Sequence, residues 1–242
     1  YNFISMETSS ECIWVFGCID SYLTLIEDVL SVLEDPSNPL SDSKYSYRQF
    51  NASPELLNAY VEEDLRKENY ILKGQNKEVL GNNRYKIHPD GYYPYGKFAI
   101  NSDRAAVSGN SFAYAFRLAE AYLNLAEAAA HDNDPETALL ALNTLRSYRF
   151  KEGVDEISGL TDTDLIERIR LERRLELCYE GHRWFDLRRY GMPPFSRTWK
   201  VGGVAVQTYQ LAEKDPSYTL PIPQEVLDKN RNLVQNKLAT PR

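Results

Sequence analysis

Few residue types suited to redox or metal chemistry are present: three cysteines, three histidines and two methionines in 242 residues. Cys12, Cys18 and Cys178 are odd in number and none has CxxC spacing, which argues against a disulfide framework and against a zinc site. His88, His131 and His182 stand singly, so no metal is expected. No apolar run approaches the roughly eighteen residues that a membrane-spanning helix needs. The N-terminus has no charged region leading into an apolar segment, so no signal peptide is read in it. Cations are in deficit, 28 Lys and Arg against 35 Asp and Glu, for a net charge of −7. That balance argues against nucleic acid or an anionic membrane as partner, because phosphate binding needs clustered Lys and Arg. The G-x-S-x-G elbow, the HExxH pair and the phosphate-cradling glycine loop are all missing, so catalysis has no motif and no cofactor is expected.

Helical periodicity dominates what is present. Leu165, Ile169, Leu171, Leu175 and Cys178 keep helical spacing, which predicts one long helix running on through the charged stretch 172–191. Glu172, Glu176, Glu180 and Arg183 fall on the same broad face as Leu165 and Ile169. Carboxylates at successive i,i+4 positions repel unless cations lie between them, and Arg173, Arg174, Arg183, Arg188 and Arg189 are the nearest in sequence. Such a ladder on an apolar face reads as a buried ion network that fixes packing. Paired carboxylates also suggest a glycosidase. However, neighbouring arginines lower carboxylate pKa values and disfavour a general acid, so no catalytic residue is assigned.

Upstream, a helix is predicted over 112–130, with Ala115, Leu118, Ala119, Tyr122, Ala126 and Ala129 inward and Arg117, Glu120, Asn124 and Glu127 opposite. Asp132-Asn133-Asp134-Pro135 turns the chain into a second helix that buries Ala138, Ala141, Leu142 and Leu145. The small residues let the two pack closely, like a tetratricopeptide hairpin. Thr161 with Asp164 is set to cap the third helix. Near the N-terminus, residues 11–19 predict a short buried strand and 20–33 a helix closed by Pro36 to Pro39. Ser53-Pro54-Glu55 opens a helix expected to turn Leu57, Tyr60, Val61 and Leu65 inward. Residues 197–220 predict a hairpin about Gly202-Gly203.

Residues 73–110 show no sustained period and read as a long loop excursion with short strands at most. Tyr85, His88, Tyr92, Tyr93, Tyr95 and Phe98 crowd this stretch, with Gly91, Pro94 and Gly96 between them. Rings on a loop can stack on the apolar faces of sugars, with Asn82, Asn83, Asp90 and Asn101 nearby for hydroxyls. They can equally pack the loop onto the helical core. The candidate ligand-binding residues are Tyr92, Tyr93 and Tyr95, with Trp199 of the hairpin as a second choice. Trp14, Trp184, Tyr122 and Tyr190 are assigned to packing.

Several blocks resemble one family, in its order. ERRLELCYEGHRWFDLRRYG at 172–191 is similar to the ER-x-x-EL-x-x-EG-x-R-x-x-DL-x-R pattern of the SusD/RagB family of outer-membrane nutrient-binding lipoproteins. RLAEAYLNLAEA at 117–128 resembles its R-x-x-E-x-Y-L-x-x-AEA block, and ALLALNTLRSYRF at 138–150 its A-x-x-x-x-N-x-x-R helix. LPIPQEV at 220–226 with NLVQN at 232–236 resembles its closing LPIP…QN element. SSECIWVFG at 9–17 and SPELLNAYVEEDLR at 53–66 are weaker matches, to E-x-I-W and S-x-x-L-x-x-x-Y-x-x-x-D-x-R.

The resemblance implies a mostly α-helical SusD-like fold, with tetratricopeptide-like hairpins, long loops and a few short β-strands or hairpins. Residues 1–242 would form its C-terminal domain: 1–110 strand, helices and aromatic excursion, 111–191 helical core, 192–242 hairpin and closing segment. An N-terminal half with the lipid-bearing cysteine is expected outside these residues. The implied function is non-enzymatic capture of oligosaccharides at the cell surface. The ligand would be passed to a TonB-dependent, SusC-like outer-membrane transporter, with the protein lipid-anchored in the outer membrane. Two alternatives are a helical-repeat scaffold for protein docking or peptide capture, and a glycoside hydrolase.

Overall fold

A computed structural model of the protein describes residues 11–17, 52–81, 84–93, 112–201 and 204–237. The chain divides into two compact units, Tyr1–Cys178 and Tyr179–Arg242. The predicted helix over 20–33, Cys18, Asn82, Asn83, Tyr95, Phe98, Asn101 and the Gly202-Gly203 turn lie outside the described residues.

In the first unit, strand β1 (Cys12–Gly17) leads, and helix α1 (Pro54–Ala59) starts as expected, with the Ser53 hydroxyl accepting from the Leu56 N–H and Pro54 in the first turn. This helix is shorter than its apolar spacing implied. Tyr60 ends it in an extended conformation, Val61 is exposed, and Asp64 caps a separate helix α2 (Leu65–Tyr70). The excursion at 73–110 is also more regular than predicted, since β2 (Leu72–Gly81) and β3 (Arg84–Tyr93) form a ten-residue antiparallel ribbon. Its strands were illegible because Gly, Asn and Lys dilute the alternation on which strand prediction rests.

Strand β4 (Phe112–Arg117) pairs antiparallel with β1, so the predicted helix begins six residues late, as α3 (Leu118–His131). Aromatic and alternating residues favour the strand there. Trp14, expected in the core, is 60% exposed. The β1–β4 register is irregular on both sides of it, which breaks the alternation that would have turned the ring inward. Three residues join α3 to α4 (Pro135–Ser147), with Asp134 accepting from the Thr137 N–H, and so short a link makes the helices antiparallel. Hydrogen bonding from the Thr137 side chain, then from its backbone N–H, lowers the Asp134 carboxyl pKa. Ala126, Ala129 and Ala130 of α3 pack on Ala138, Ala141 and Leu142 of α4, and Leu165 and Ile169 of α5 (Asp162–Glu176) close the cluster. Thr161 is the N-cap residue of α5, as predicted, but its side chain makes no capping bond.

The long helix expected through 191 is broken. Leu177 caps α5, Tyr179 (φ 63°) and Gly181 (φ 83°) turn the chain through left-handed conformations, and α6 (His182–Arg189) begins afresh. The second unit continues with β5 (Phe195–Val201), β6 (Val204–Leu211), a 3₁₀ turn at Pro216–Tyr218 and α7 (Gln224–Lys229). Gln235 clamps Ile222 through both its amide N–H and carbonyl, and the Asn236 amide donates to the Leu220 carbonyl. The closing QN thus fastens the LPIP segment. Among the described residues no helix is long and apolar enough to cross a membrane.

Candidate functional site

The carboxylates of α5 are the first candidates to weigh. Glu172 and Glu176 are fully buried, one turn apart. Glu176 Oε1 accepts from Arg117 Nη1 at 2.6 Å and Arg149 Nη2 at 3.1 Å, while Oε2 accepts from Arg66 Nη1 and Arg149 Nε at 3.0 Å each. Tyr70 donates its hydroxyl to Oε1 at 3.3 Å. Glu172 accepts from Arg66 Nη2 at 2.5 Å, Arg168 Nη2 at 2.9 Å and Arg146 Nη1 at 3.1 Å. Arg66 also forks onto Asp64, through Nε at 2.9 Å and Nη2 at 2.7 Å. At the rim, Glu11 bridges Arg149 at 2.7 Å and Arg117 at 3.4 Å.

The predicted ladder is therefore a buried ion network, but its cations differ from those adjacent in sequence. Four of them arrive from other segments, α2, β4, α4 and the turn after α4, and only Arg168 is on α5. Arg173 instead reaches Asn124 at 2.9 Å and Glu120 at 3.6 Å, and Glu180 and Arg183 lie beyond the break. Local spacing revealed the carboxylates; the distant arginines needed the fold.

Burial alone would raise both carboxyl pKa values. The guanidiniums outweigh it, lowering Glu172 through Arg66, Arg168 and Arg146, and Glu176 well below the usual range through Arg117, Arg149 and Arg66. Burial, then the Glu176 charge, pushes the Tyr70 hydroxyl well up. Two ionised, saturated carboxylates cannot donate a proton to a leaving group.

The second candidate is open to solvent. β5 and β6 form a two-stranded antiparallel ribbon with Phe195 opposite Leu211, Arg197 opposite Tyr209, Thr198 opposite Thr208 and Trp199 opposite Gln207. Directly opposed residues share a face, so Phe195, Arg197, Trp199, Gln207, Tyr209 and Leu211 line one side. The other side carries Thr198 and Thr208, whose hydroxyls meet at 3.0 Å.

At its base the ribbon is anchored within its unit. The half-buried Phe195 meets the buried Tyr218 ring edge-on at 6.1 Å, Tyr218 stacks on Trp184 at 5.0 Å, and the Tyr218 hydroxyl donates to the Pro193 carbonyl. Trp184 is thus a packing residue, as expected. Farther along, Trp199 is 47% and Tyr209 50% exposed. Tyr209 donates its hydroxyl to Gln207 Oε1 at 3.2 Å. The Arg197 guanidinium lies 5.0 Å from the Phe195 ring centre and donates to the Ser196 carbonyl at 2.7 Å. No carboxylate pairs with it among the described residues. Two exposed rings, an amide and a guanidinium on one face can stack on a flat apolar ligand surface and hydrogen-bond its hydroxyls.

The other predicted residues are dispersed. Tyr92 and Tyr93 lie on β3, opposite Lys73 and Leu72, rather than in a loop. Tyr122 is half-buried against the helical core, and the Tyr190 ring lies under Arg189 at 4.4 Å. Arg197, Gln207 and Tyr209 escaped the sequence reading. Pairing outward from a two-residue turn sets Trp199 against Val206. A bulge between Trp199 and Lys200 shifts the register by one and brings Gln207 and Tyr209 to the tryptophan's face. Among the described residues no three His, Cys, Asp or Glu side chains gather as a metal set.

Comparison with known proteins places this fold. The starch-binding protein SusD of Bacteroides thetaiotaomicron is 26% identical over 239 residues, covering 92% of this chain and 42% of SusD. SusD-like protein P25 of Formosa agariphila is 38% identical over 93 residues, covering 38% of this chain and 17% of P25. The surface glycan-binding protein A of Bacteroides uniformis superposes with a TM-score of 0.57 at 21% identity, covering 95% of this chain and 49% of that protein. The chain thus spans less than half the length of these relatives. The SusD family pattern (SusD_RagB) matches residues 40–238, and the chain belongs to the SusD family.

Proposed function

We propose that this chain is part of a non-enzymatic, surface-exposed lipoprotein of the outer membrane. It captures oligosaccharides and passes them to a TonB-dependent, SusC-like transporter. The observation that carries the binding role is the exposed Trp199–Tyr209 face, with Gln207 and Arg197 beside the rings. Relatives named for binding starch and surface glycans support the same ligand class. Trp199 is the leading contact, and Tyr92, Tyr93 and Tyr95 form a second candidate set.

Calorimetric titration of the protein with a panel of neutral and charged oligosaccharides tests this. A glycan that binds wild type and fails to bind Trp199→Ala supports it. Binding equal in Trp199→Ala moves the site off the ribbon, and binding to no member of the panel removes the glycan reading. Long incubation of the purified protein with the same panel should release no reducing ends, because Glu172 and Glu176 are ionised and sealed among arginines. Turnover lost on mutating one carboxylate would restore the hydrolase. The transporter step predicts that the lipoprotein co-purifies with a TonB-dependent β-barrel from outer membranes, and its absence from every such preparation would count against it.

Protein docking has its own support. Leu118 and Leu125 of α3, seven residues apart on one stripe, are exposed, as are Leu140 and Tyr148 at α4. Leu125→Lys with Leu140→Lys should abolish transporter co-purification if these exposed positions of α3 and α4 dock it, and leave it intact if they do not.

A further inference from the structure

We infer that the β5–β6 ribbon takes an anionic oligosaccharide, one carrying carboxylate or sulfate groups, with the anion placed on Arg197. The inference rests on the proposal that this ribbon contacts glycan, and adds the ligand's charge. Acidic residues number 35 in the 242-residue chain, yet none occurs in the seventeen residues from Phe195 to Leu211, which hold Arg197 and Lys200. Against a net charge of −7, a stretch that is cationic and free of carboxylates in sequence is where an anionic ligand is best received.

Arg197 is suited to that role by its surroundings. The core arginines 66, 117 and 149 are spent on buried carboxylates, whereas Arg197 is exposed and its charge is uncompensated among the described residues. The Ser196 carbonyl and the Phe195 ring hold its guanidinium, which reduces the ordering cost of binding. The planar fork can accept a carboxylate or sulfate in bidentate fashion. Tyr209 lies directly across the ribbon, and Trp199 is two residues along the same face, about 6–7 Å away. A sugar stacked on either ring therefore brings a ring substituent within reach of the guanidinium.

Three probes separate the possibilities in calorimetry with the intact protein: hexagalacturonate for carboxylate, a sulfated galactan hexamer for sulfate, and neutral maltohexaose. At least one anionic probe should bind tenfold or more tighter than maltohexaose. Arg197→Gln should weaken that probe by about tenfold, as expected for loss of a charge-assisted bond. Arg197→Lys should restore part of the loss, and raising the salt concentration should weaken wild type more than Arg197→Gln. Comparing the carboxylate and sulfate probes identifies the source of the anion. Maltohexaose binding as tightly as both anionic probes, or anionic binding unchanged in Arg197→Gln, overturns the inference while leaving a glycan site that still depends on Trp199. Failure of both anionic probes to bind also overturns it. Anionic binding unchanged in Trp199→Ala instead removes the ribbon reading on which it rests. Unchanged melting of each variant confirms that binding, not folding, is being read.

Discussion

Arg66 and Arg197 use the same side chain in opposite circumstances. Arg66 is 1% exposed and hydrogen-bonded to Asp64, Glu172 and Glu176, whereas Arg197 stands in solvent with a ring and a carbonyl for company. A buried guanidinium is tolerated only when fully paired, and full pairing leaves it nothing to offer a ligand. An exposed one adds little to stability and remains available for binding. These two arginines therefore divide by saturation: Arg66 holds the core, and Arg197 remains available.

The largest effect that tests this division is Arg66→Ala, which leaves buried Asp64 without its arginine and takes one of three arginines from each of Glu172 and Glu176; it should cost about 3–5 kcal/mol, read as a large drop in melting temperature. Glu176→Ala should act similarly, while Arg183→Ala, outside the network described, should cost less. An Arg66→Ala protein that melts like wild type would erase the distinction.

Acid should act next. The folded-state pKa values of Glu172 and Glu176 are depressed, so their contribution is complete above the ordinary carboxylate value of about 4.3. It is lost as pH falls below that value through the depressed folded pKa. Denaturant midpoints should therefore fall steeply below about pH 4 in wild type and less steeply in Glu176→Gln. Equal slopes would place the acid sensitivity elsewhere.

On the open side, Trp199→Ala should shift stability by no more than about 0.5 kcal/mol, as exposed positions do, while weakening glycan binding tenfold or more. The smallest effects are expected at Tyr93→Ala and Tyr95→Ala, a few-fold in affinity at most. A loss at Tyr93→Ala exceeding that of Trp199→Ala would move the site to the β2–β3 ribbon.

Most charges of the closed network occupy positions of the motifs that make the family recognisable. Glu11 comes from E-x-I-W, Asp64 and Arg66 from the D-x-R block, Arg117 from R-x-x-E, Arg146 from N-x-x-R, and Glu172 and Glu176 from ER-x-x-EL. Tyr60 of the same D-x-R block donates to the Leu175 carbonyl at the end of α5, and Asn143 clamps Ile157 with both halves of its amide. Helical periodicity was legible because α3, α4 and α5 each bury a repeating stripe. Breaks were less legible: the left-handed turn at Tyr179–Gly181 is marked only by Gly181 in a stretch where apolar residues keep helical spacing, and the start of α3 depends on pairing between β1 and β4, about a hundred residues apart in sequence. The candidate face on the β5–β6 ribbon was nearly silent, because a one-residue bulge decides which side chains join Trp199.

The order in which the network's charges leave the ribosome carries a further consequence. Arg66, Arg117, Arg146 and Arg149 are all synthesised before Glu172 and Glu176, the carboxylates on which they converge. Until α5 emerges, only Glu11 and Asp64 offset them within the network, so a nascent chain ending near residue 160 cannot desolvate these guanidiniums without stranding their charge. The first unit should therefore close late and in one step, with α5 as its final piece, rather than accrete helix by helix during synthesis.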